Sequence, residues 1–262
     1  MADLLLKWLS VEANPEVMTK LARQLGLVSG WEFKDVLGLD GHVLADEPIS
    51  ACGLLFVYPS KYEGHRLAQG SAEDPQGLLF VKYPSRGAGA TLALIHTLAN
   101  ADVTLGRFGE AVPVIPMTLS IVLSTPLTYP SKLLSSSSHS SLLSLDPGSS
   151  LDRFLCAAKA LTPSERGSLL ETDKDIQAAH ETCAKQGQSQ PLEVGKDSDL
   201  HYIAFVSARG KLWELDGCKG APLAHGPTSE ATLVKDASHV CRDIISQQPD
   251  DIRFSAVALC KN

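Results

Sequence analysis

His201 and Asp216 are the two residues of this chain whose types and spacing most suggest chemistry. A carboxylate next to an imidazole can hold the ring in one tautomer and stabilise its protonated form. That arrangement is the base and orienting group of a nucleophilic triad. The alternative is an ordinary polar pair across two strands at a sheet edge.

A predicted β-hairpin positions the two residues. Tyr202–Ser207 and Lys211–Leu215 are rich in β-branched and aromatic residues, and the intervening Ala208-Arg209-Gly210 is turn-like. A two-residue loop at Ala208-Arg209 places Ser207 opposite Gly210, and the same register places His201 opposite Asp216. Directly opposed residues of antiparallel strands lie roughly 5 Å apart on one face. We therefore expect the imidazole and the carboxylate to be in contact.

The remaining elements indicate a sheet covered by helices. Asn14 is a predicted N-cap, Pro15 the first residue of a helix ending near Gly26, and Thr162 with Glu165 forms a capping box that opens another helix. Strands interspersed with helices, one hairpin among them, predict an α/β (α+β) fold. Further predicted strands are Trp31–Leu37, Ala51–Tyr58, Leu78–Tyr83 and Asp251–Leu259, and further helices are Ala88–Asn100, Leu151–Leu161 and Glu230–Ile245.

Composition limits the partners. The 262 residues carry a net charge of −7, which argues against nucleic acid or an anionic membrane and favours a basic protein surface. The sequence contains neither a recognisable signal peptide nor an apolar run long enough to span a bilayer. Six scattered cysteines without CxxC or zinc-ligand spacing predict reduced thiols in the cytoplasm or nucleus. We expect a monomer without metal or cofactor.

One segment departs from the pattern of a globular domain. Residues 106–144 are almost free of charge after Glu110 and rich in Ser, Pro, Thr and Leu. Two interpretations remain open: a disordered insertion, favoured by the Ser/Pro bias, or a translated intron, because pyrimidine-rich codons encode these residues. On either interpretation, 1–262 is a single domain interrupted at about 106–144.

In order and spacing, eleven sequence segments resemble the small ubiquitin C-terminal hydrolases, which are cysteine deubiquitinases. The resemblance covers nearly all of the chain outside 106–144. The segments are Trp8-Leu-Ser-Val-Glu-Ala-Asn-Pro-Glu-Val17, Leu25-Gly-Leu27, Val36-Leu-Gly-Leu39, Leu54-Leu-Phe-Val-Tyr-Pro59, Leu94-Ile-His-Thr-Leu-Ala-Asn100, Ser164-Glu-Arg166, His180-Glu-Thr182, Asp199-Leu-His201, Glu214-Leu-Asp-Gly217, His225-Gly226 and Arg253-Phe-Ser-Ala-Val-Ala-Leu259.

The resemblance implies a papain-like fold, with a mainly antiparallel sheet between helical layers. It implies that His201 is the general base and proton donor and that Asp216 orients it. The implied partner is ubiquitin or a ubiquitin-like protein, which Glu12 and Glu16 would face if they are not merely solvated. The predicted loop 185–199 would arch over the site and limit the size of the leaving group.

The family's nucleophile is missing from this chain. Its pattern is Gln, four residues and Ala-Cys-Gly-Thr before the helix that carries Leu-Ile-His. Alignment on Leu94–His96 places the cysteine at Gly89 and the oxyanion-stabilising glutamine at Tyr83. The chemistry requires a thiolate at a helix N-terminus, and glycine has no side chain to supply one. We therefore expect no turnover from the chain as written.

No other cysteine is a convincing replacement. Cys52 lies in an apolar strand and is expected to be structural, although Ala51-Cys-Gly53 mimics the missing motif. Cys156, Cys183, Cys218, Cys241 and Cys260 lack a local partner in the sequence and are expected to be inert.

Two functional hypotheses follow. In the first, the protein is a thiol hydrolase that cleaves after the C-terminal glycine of ubiquitin, and both 84–90 and 106–144 are gene-model errors. In the second, it is a catalytically dead relative that binds ubiquitin or a ubiquitin-like protein and shields it. The intact pair of His201 and Asp216 favours the first hypothesis, and the sequence of the mature transcript would distinguish the two.

Overall fold

The computed structural model describes residues 8–39, 49–59, 71–72, 77–83, 87–101, 145–186, 199–248 and 250–262. Segment 106–144 and residues 187–198 of the predicted loop 185–199 therefore lie outside the described residues. The helices are α1 (Pro15–Leu25), α2 (Gly89–Asn100), α3 (Ser150–Ala158), α4 (Pro163–Thr172), α5 (Lys174–Ala184) and α6 (Leu233–Ser246). The strands are β1 (Trp31–Asp35), β2 (Ala51–Pro59), β3 (Ser71–Ala72), β4 (Leu200–Ala208), β5 (Lys211–Leu215), β6 (Leu223–Pro227) and β7 (Ser255–Lys261).

The seven strands form one antiparallel sheet in the order β1-β7-β2-β4-β5-β6-β3. Helices cover both of its faces, which confirms the predicted α/β class with a mainly antiparallel sheet. Strand β2 is buried along its whole length, as its apolar sequence predicts. Because side chains alternate between faces, Leu54 and Phe56 pack toward α6, whereas Leu55 packs into the core around α2.

Helix α2 is the central element of the core on the Leu55 side of the sheet, and each of its twelve residues is buried. It packs against β2 and β4. The close approach depends on Gly53, since a Cβ atom there would lie 2.5 Å from Thr97 Cγ2. The start of α2 lies beside β4, the strand that carries His201, because the Cβ position of Gly89 is 3.4 Å from the ring of Tyr202.

The β4–β5 hairpin forms, but its register differs from the predicted one. Ala208 pairs with Lys211 and Ala204 pairs with Leu215, so the two-residue loop is Arg209-Gly210. Both loop residues have positive φ, 54° and 71°, as a type I′ turn requires. The predicted loop at Ala208-Arg209 was wrong because a glycine in the second loop position suits this turn better than an alanine in the first.

Leu78–Tyr83 was predicted to be a strand and is not one. Its main chain pairs with no neighbouring strand among the described residues, and three of its hydrogen bonds go to side chains of α2. The Leu79 N–H donates to Asn100 Oδ1 at 2.7 Å, and the Val81 N–H donates to His96 Nε2 at 3.0 Å. The apolar sequence of Leu78–Tyr83 is typical of a buried strand, but in this fold it is buried because side chains of α2 bind its main chain.

No helix in the described part of the chain is long and apolar enough to cross a bilayer. The predicted helix starts are confirmed at α1, where the Asn14 side chain accepts from the Glu16 and Val17 N–H groups. At α4, Thr162 and Glu165 form the capping box. These local signals were readable because a cap depends on residues a few positions apart.

Candidate active site

The structure brings His201 and Asp216 together, as the hairpin predicts. His201 lies near the start of β4, Asp216 directly follows β5, and His201 Nε2 is 2.9 Å from Asp216 Oδ1. The contact forms even though the register differs from the predicted one. When the observed register is continued beyond the end of β5, Cys218 lies opposite His201. Asp216 lies two residues from Cys218, so it remains on the same face as a diagonal neighbour.

Both side chains are largely enclosed, with 15% of the His201 side chain and 4% of the Asp216 side chain exposed. The ring of His201 also packs edge-on against Tyr58, its backbone partner on β2, with a centroid distance of 5.2 Å. Asp216 Oδ1 accepts a second hydrogen bond, from the Cys218 N–H at 2.9 Å. The imidazole therefore has a fixed orientation, with Nε2 directed at the carboxylate.

The electrostatic environment keeps Asp216 ionised. Burial raises the pKa of its carboxyl group, but the hydrogen bond and charge of His201, the Cys218 N–H and the charge of Lys219 together lower it below the ordinary value. An ionised carboxylate beside the ring stabilises an imidazolium. The pair can thus take up and return a proton.

Gly89 is the first residue of α2 and is buried at this site. A Cβ atom on it would lie 3.4 Å from the ring of Tyr202 and 3.4 Å from Tyr83 Oη. Since Tyr202 follows His201 on β4, the predicted nucleophile position lies beside the strand that carries the imidazole. Gly89 does not adopt a positive φ, so the backbone accepts a side chain here.

Tyr83 fills space next to that position. Its N–H donates to the Gly217 carbonyl at 2.9 Å, which anchors it to the residue after Asp216. Burial, with the nearby Cys218 and Asp216 charges, raises the pKa of Tyr83 to about 12, although hydrogen bonds from the Gly87 and Gly89 N–H groups lower it. The hydroxyl group therefore stays neutral beside the start of α2, whose N-cap residue provides no side-chain cap.

The N-terminal segment is fastened to α2. The Tyr202 hydroxyl donates to the Val11 carbonyl, and His180 lies between the Leu9 carbonyl (2.6 Å from Nε2) and Thr91 Oγ1 (2.7 Å from Nδ1). Because a carbonyl can only accept, Nε2 of His180 is protonated and Nδ1 accepts from the threonine. These contacts fix α2 relative to residues 9–11.

Two predicted contact residues for ubiquitin lie on this N-terminal segment. Glu12 is partly buried, and its charge is among the causes that raise the pKa of Tyr202, after burial. Glu16 is exposed in the first turn of α1. Glu12 is therefore electrostatically connected to the site, whereas Glu16 faces the solvent.

Four of the six cysteines are buried, whereas Cys156 and Cys218 are exposed. Cys52 is buried and its thiol contacts the Leu259 carbonyl at 3.5 Å, as expected of a core residue. Cys218, expected to be inert, is exposed and offers its sulfur within 4.8 Å of ligand atoms of both His201 and Asp216. Its place two residues after Asp216 was the available signal.

The site thus combines an antiparallel sheet, a buried helix whose first residue lies beside Tyr202, and the imidazole–carboxylate pair of the neighbouring His201. A similar fold occurs in the UCH37 catalytic domain of Trichinella spiralis bound to ubiquitin vinyl methyl ester. The TM-score is 0.67 at 20% sequence identity, over 97% of this chain and 96% of that chain.

Sequence comparisons identify the family. Residues 8–112 and 132–246 match the model of ubiquitin carboxyl-terminal hydrolase, family 1. A ubiquitin carboxyl-terminal hydrolase of Drosophila melanogaster is 33% identical, over 97% of this chain and 98% of the relative. The human ubiquitin carboxyl-terminal hydrolase isozyme L1 is 32% identical, over 96% of this chain and 97% of the relative. The chain belongs to the ubiquitin carboxyl-terminal hydrolase family, which confirms the resemblance described above.

Proposed function

We propose that this site recognises the C-terminal segment of ubiquitin and that the chain as written holds it without cleaving it. The observation that carries the proposal is the pairing of an intact His201–Asp216 contact with a buried glycine at the nucleophile position. The base and its orienting group are retained, whereas the attacking atom is absent. Ubiquitin is the proposed partner because the chain belongs to this family.

The roles follow from the reaction that the family name describes. A thiolate at position 89 would attack the carbonyl carbon of the last glycine of ubiquitin and form a tetrahedral intermediate. His201 would then donate a proton to the departing amine, leaving a thioester. Water would attack the thioester while His201 takes its proton, and the thiol would be released. Asp216 would stabilise the imidazolium throughout.

Two features of this chain oppose that reaction. Gly89 supplies no sulfur, so no covalent intermediate forms. The Tyr83 hydroxyl lies 3.4 Å from the Cβ position of Gly89, near the Gly87 and Gly89 N–H groups, so it would compete for donors that a developing oxyanion needs. The proposal therefore separates recognition, which depends on the surrounding fold, from hydrolysis, which depends on these two positions.

Isothermal titration of the full chain with ubiquitin, paired with a fluorogenic C-terminal amide of ubiquitin, tests the proposal. We expect saturable binding and no release of the fluorophore. Ubiquitin that lacks its C-terminal residues is the control and should bind more weakly. Absence of binding would contradict the proposed recognition, and turnover by the unchanged chain would contradict the proposed loss of hydrolysis.

A second candidate function is thiol hydrolysis by a gene product that carries cysteine at position 89. It is favoured by the space around Gly89, where a Cβ atom meets nothing closer than 3.4 Å. The retained His201–Asp216 contact also favours it. Sequencing the mature transcript across codons 80–150 distinguishes the two candidates, because a message encoding Gln at 83 and Cys at 89 supports the hydrolase.

A further inference from the structure

Three different ligand types converge where β4 begins and β5 ends. His201, Asp216 and Cys218 each offer one ligand atom, and these atoms all lie within 4.8 Å of one another. Tetrahedral zinc has bonds of roughly 2.0–2.3 Å, which places its ligand atoms roughly 3–4 Å apart. The cluster is therefore close to the size that one cation requires.

We propose that His201, Asp216 and Cys218 form a binding site for a thiophilic divalent cation of the Zn²⁺ type. Imidazole nitrogen, carboxylate oxygen and thiolate sulfur together select zinc over the hard cations Mg²⁺ and Ca²⁺. Three protein ligands leave a fourth position for water. On binding, the Cys218 thiol loses its proton to the solvent, the S–metal bond forms, and His201 coordinates through an unprotonated nitrogen.

The surroundings suit such a site. Asp216 is 3% exposed and fixed in place, whereas Cys218 is exposed, so a cation enters from the solvent toward an anchored carboxylate. The ammonium group of Lys219 is paired with the buried Glu214, which also contacts His225 Nε2 at 2.7 Å. This pairing offsets part of the lysine charge that a bound cation would meet.

The proposed cation site also borders the start of α2. The Tyr83 N–H donates at 2.9 Å to the carbonyl of Gly217, the residue between Asp216 and Cys218, and the Tyr83 hydroxyl lies 3.4 Å from the Cβ position of Gly89. A bound cation would therefore sit beside the position where the family carries its nucleophile and would occupy His201. The inference needs only the geometry of these three side chains and does not depend on ubiquitin binding.

The test is titration of the reduced, metal-free full chain with Zn²⁺ and, for its spectrum, Co²⁺. We expect one equivalent to bind, and Co²⁺ to give a thiolate-to-metal charge-transfer band in the near ultraviolet. Cys218→Ser should abolish that band and weaken Zn²⁺ binding by at least about tenfold, because loss of even an outer-shell partner costs this much. Cys156→Ser is the matched control, since Cys156 is the other exposed cysteine, and should leave both unchanged.

Three outcomes would overturn the inference: no binding by the unchanged chain, Co²⁺ binding without the thiolate band, or equal affinities of the Cys218→Ser variant and the unchanged chain. Near-ultraviolet circular dichroism without metal checks that each variant is folded. If Cys218→Ser proves unfolded, a second measurement on the unchanged chain replaces this variant: mass spectrometry of Cys218 after alkylation with and without Zn²⁺. Alkylation of Cys218 to the same extent with and without Zn²⁺ counts against the site. Ubiquitin titration of the metal-free chain keeps failure of this inference separate from failure of the proposed function.

Discussion

The candidate site has two sides that differ in what they retain. The strand side, formed by His201 and Asp216 on the β4–β5 hairpin, keeps a hydrogen-bonded pair of 2.9 Å. The helix side, formed by Gly89 and Tyr83 at the start of α2, offers neither a thiol nor a carboxamide at these two positions. Each side is positioned by its own contacts, so the chemistry of one can change while the other stays intact.

The largest expected effect comes from rebuilding the helix side. The double variant Gly89→Cys with Tyr83→Gln should hydrolyse a fluorogenic ubiquitin amide, whereas the unchanged chain should not. Gly89→Cys alone should be about 100-fold slower than the double variant, because the Tyr83 hydroxyl still competes for the backbone donors of the oxyanion site. Initial rates at saturating substrate provide the measurement.

Two controls belong to that experiment. Gly89→Ser with Tyr83→Gln tests whether a thiol is required, and His201→Ala in the double variant tests whether the strand side supplies the base. Both should return the rate to background. Equal rates for the single and double variants would refute the role assigned to Tyr83.

Acid should weaken the helix side before the strand side. Burial is the largest cause lowering the pKa of His96 and His180 to about 4, so the unfolded chain binds more protons than the folded chain between pH 6.5 and 4. Stability is therefore fully present above pH 6.5 and lost as the pH falls toward 4, by about 3 kcal/mol per imidazole. The pKa of Asp216 is lowered instead, so its contribution is lost only below the ordinary range of an aspartate.

Urea unfolding at pH 7, 6, 5 and 4 measures this dependence. His96→Gln and His180→Gln should each flatten the decline, since a glutamine does not titrate. A decline of unchanged steepness in both variants would mean that other groups cause it.

Gly217→Ala should damage the junction between the two sides. An added Cβ atom would lie 2.5 Å from Leu92 Cδ2, 3.0 Å from the Tyr83 nitrogen and 3.2 Å from the Val81 oxygen. Two of these atoms belong to the backbone, so we expect a loss of about 1–3 kcal/mol in the free energy of unfolding. Gly220→Ala is the matched control, because nothing lies within 4 Å of its Cβ position, and similar losses for both would argue against this junction.

The smallest effect tests the register of the strand side. Arg209 has a φ of 54° in the hairpin loop, and asparagine tolerates this conformation better. Arg209→Asn should raise the free energy of unfolding by up to about 1 kcal/mol, and Gly210→Ala should lower it by a similar amount. Chemical denaturation of both variants is the measurement, and a destabilising Arg209→Asn would speak against the type I′ loop.

A structural feature could be predicted from the sequence when the residues that form it lie close together along the chain. The caps at Asn14 and Thr162 were predicted because they involve residues a few positions apart. The His201–Asp216 contact was predicted although the loop position was wrong. The predicted register places His201 opposite Asp216, and the observed register places it opposite Cys218. Because these two positions are two residues apart, Asp216 stays on the same face as His201. A shift of one residue in the partner would have separated them.

The missed features depend on contacts between distant elements. Leu78–Tyr83 resembles a strand in composition, yet its main chain is bound by Asn100 and His96 of α2, which no local pattern encodes. Cys218 seemed isolated because its neighbours arrive through the fold. The roles assigned to Gly89, Tyr83, Glu12 and Glu16 remain predictions.

The side-chain tethers of the segment before α2 also bear on how such a protein could change over time. Asn100 and His96 bind the main chain of Leu79 and Val81, and none of these four residues would take part in bond cleavage. The position of the backbone that leads to residue 83 therefore does not depend on the side chain at residue 83. A lineage could exchange the side chains at positions 83 and 89 without altering the contacts that hold this segment.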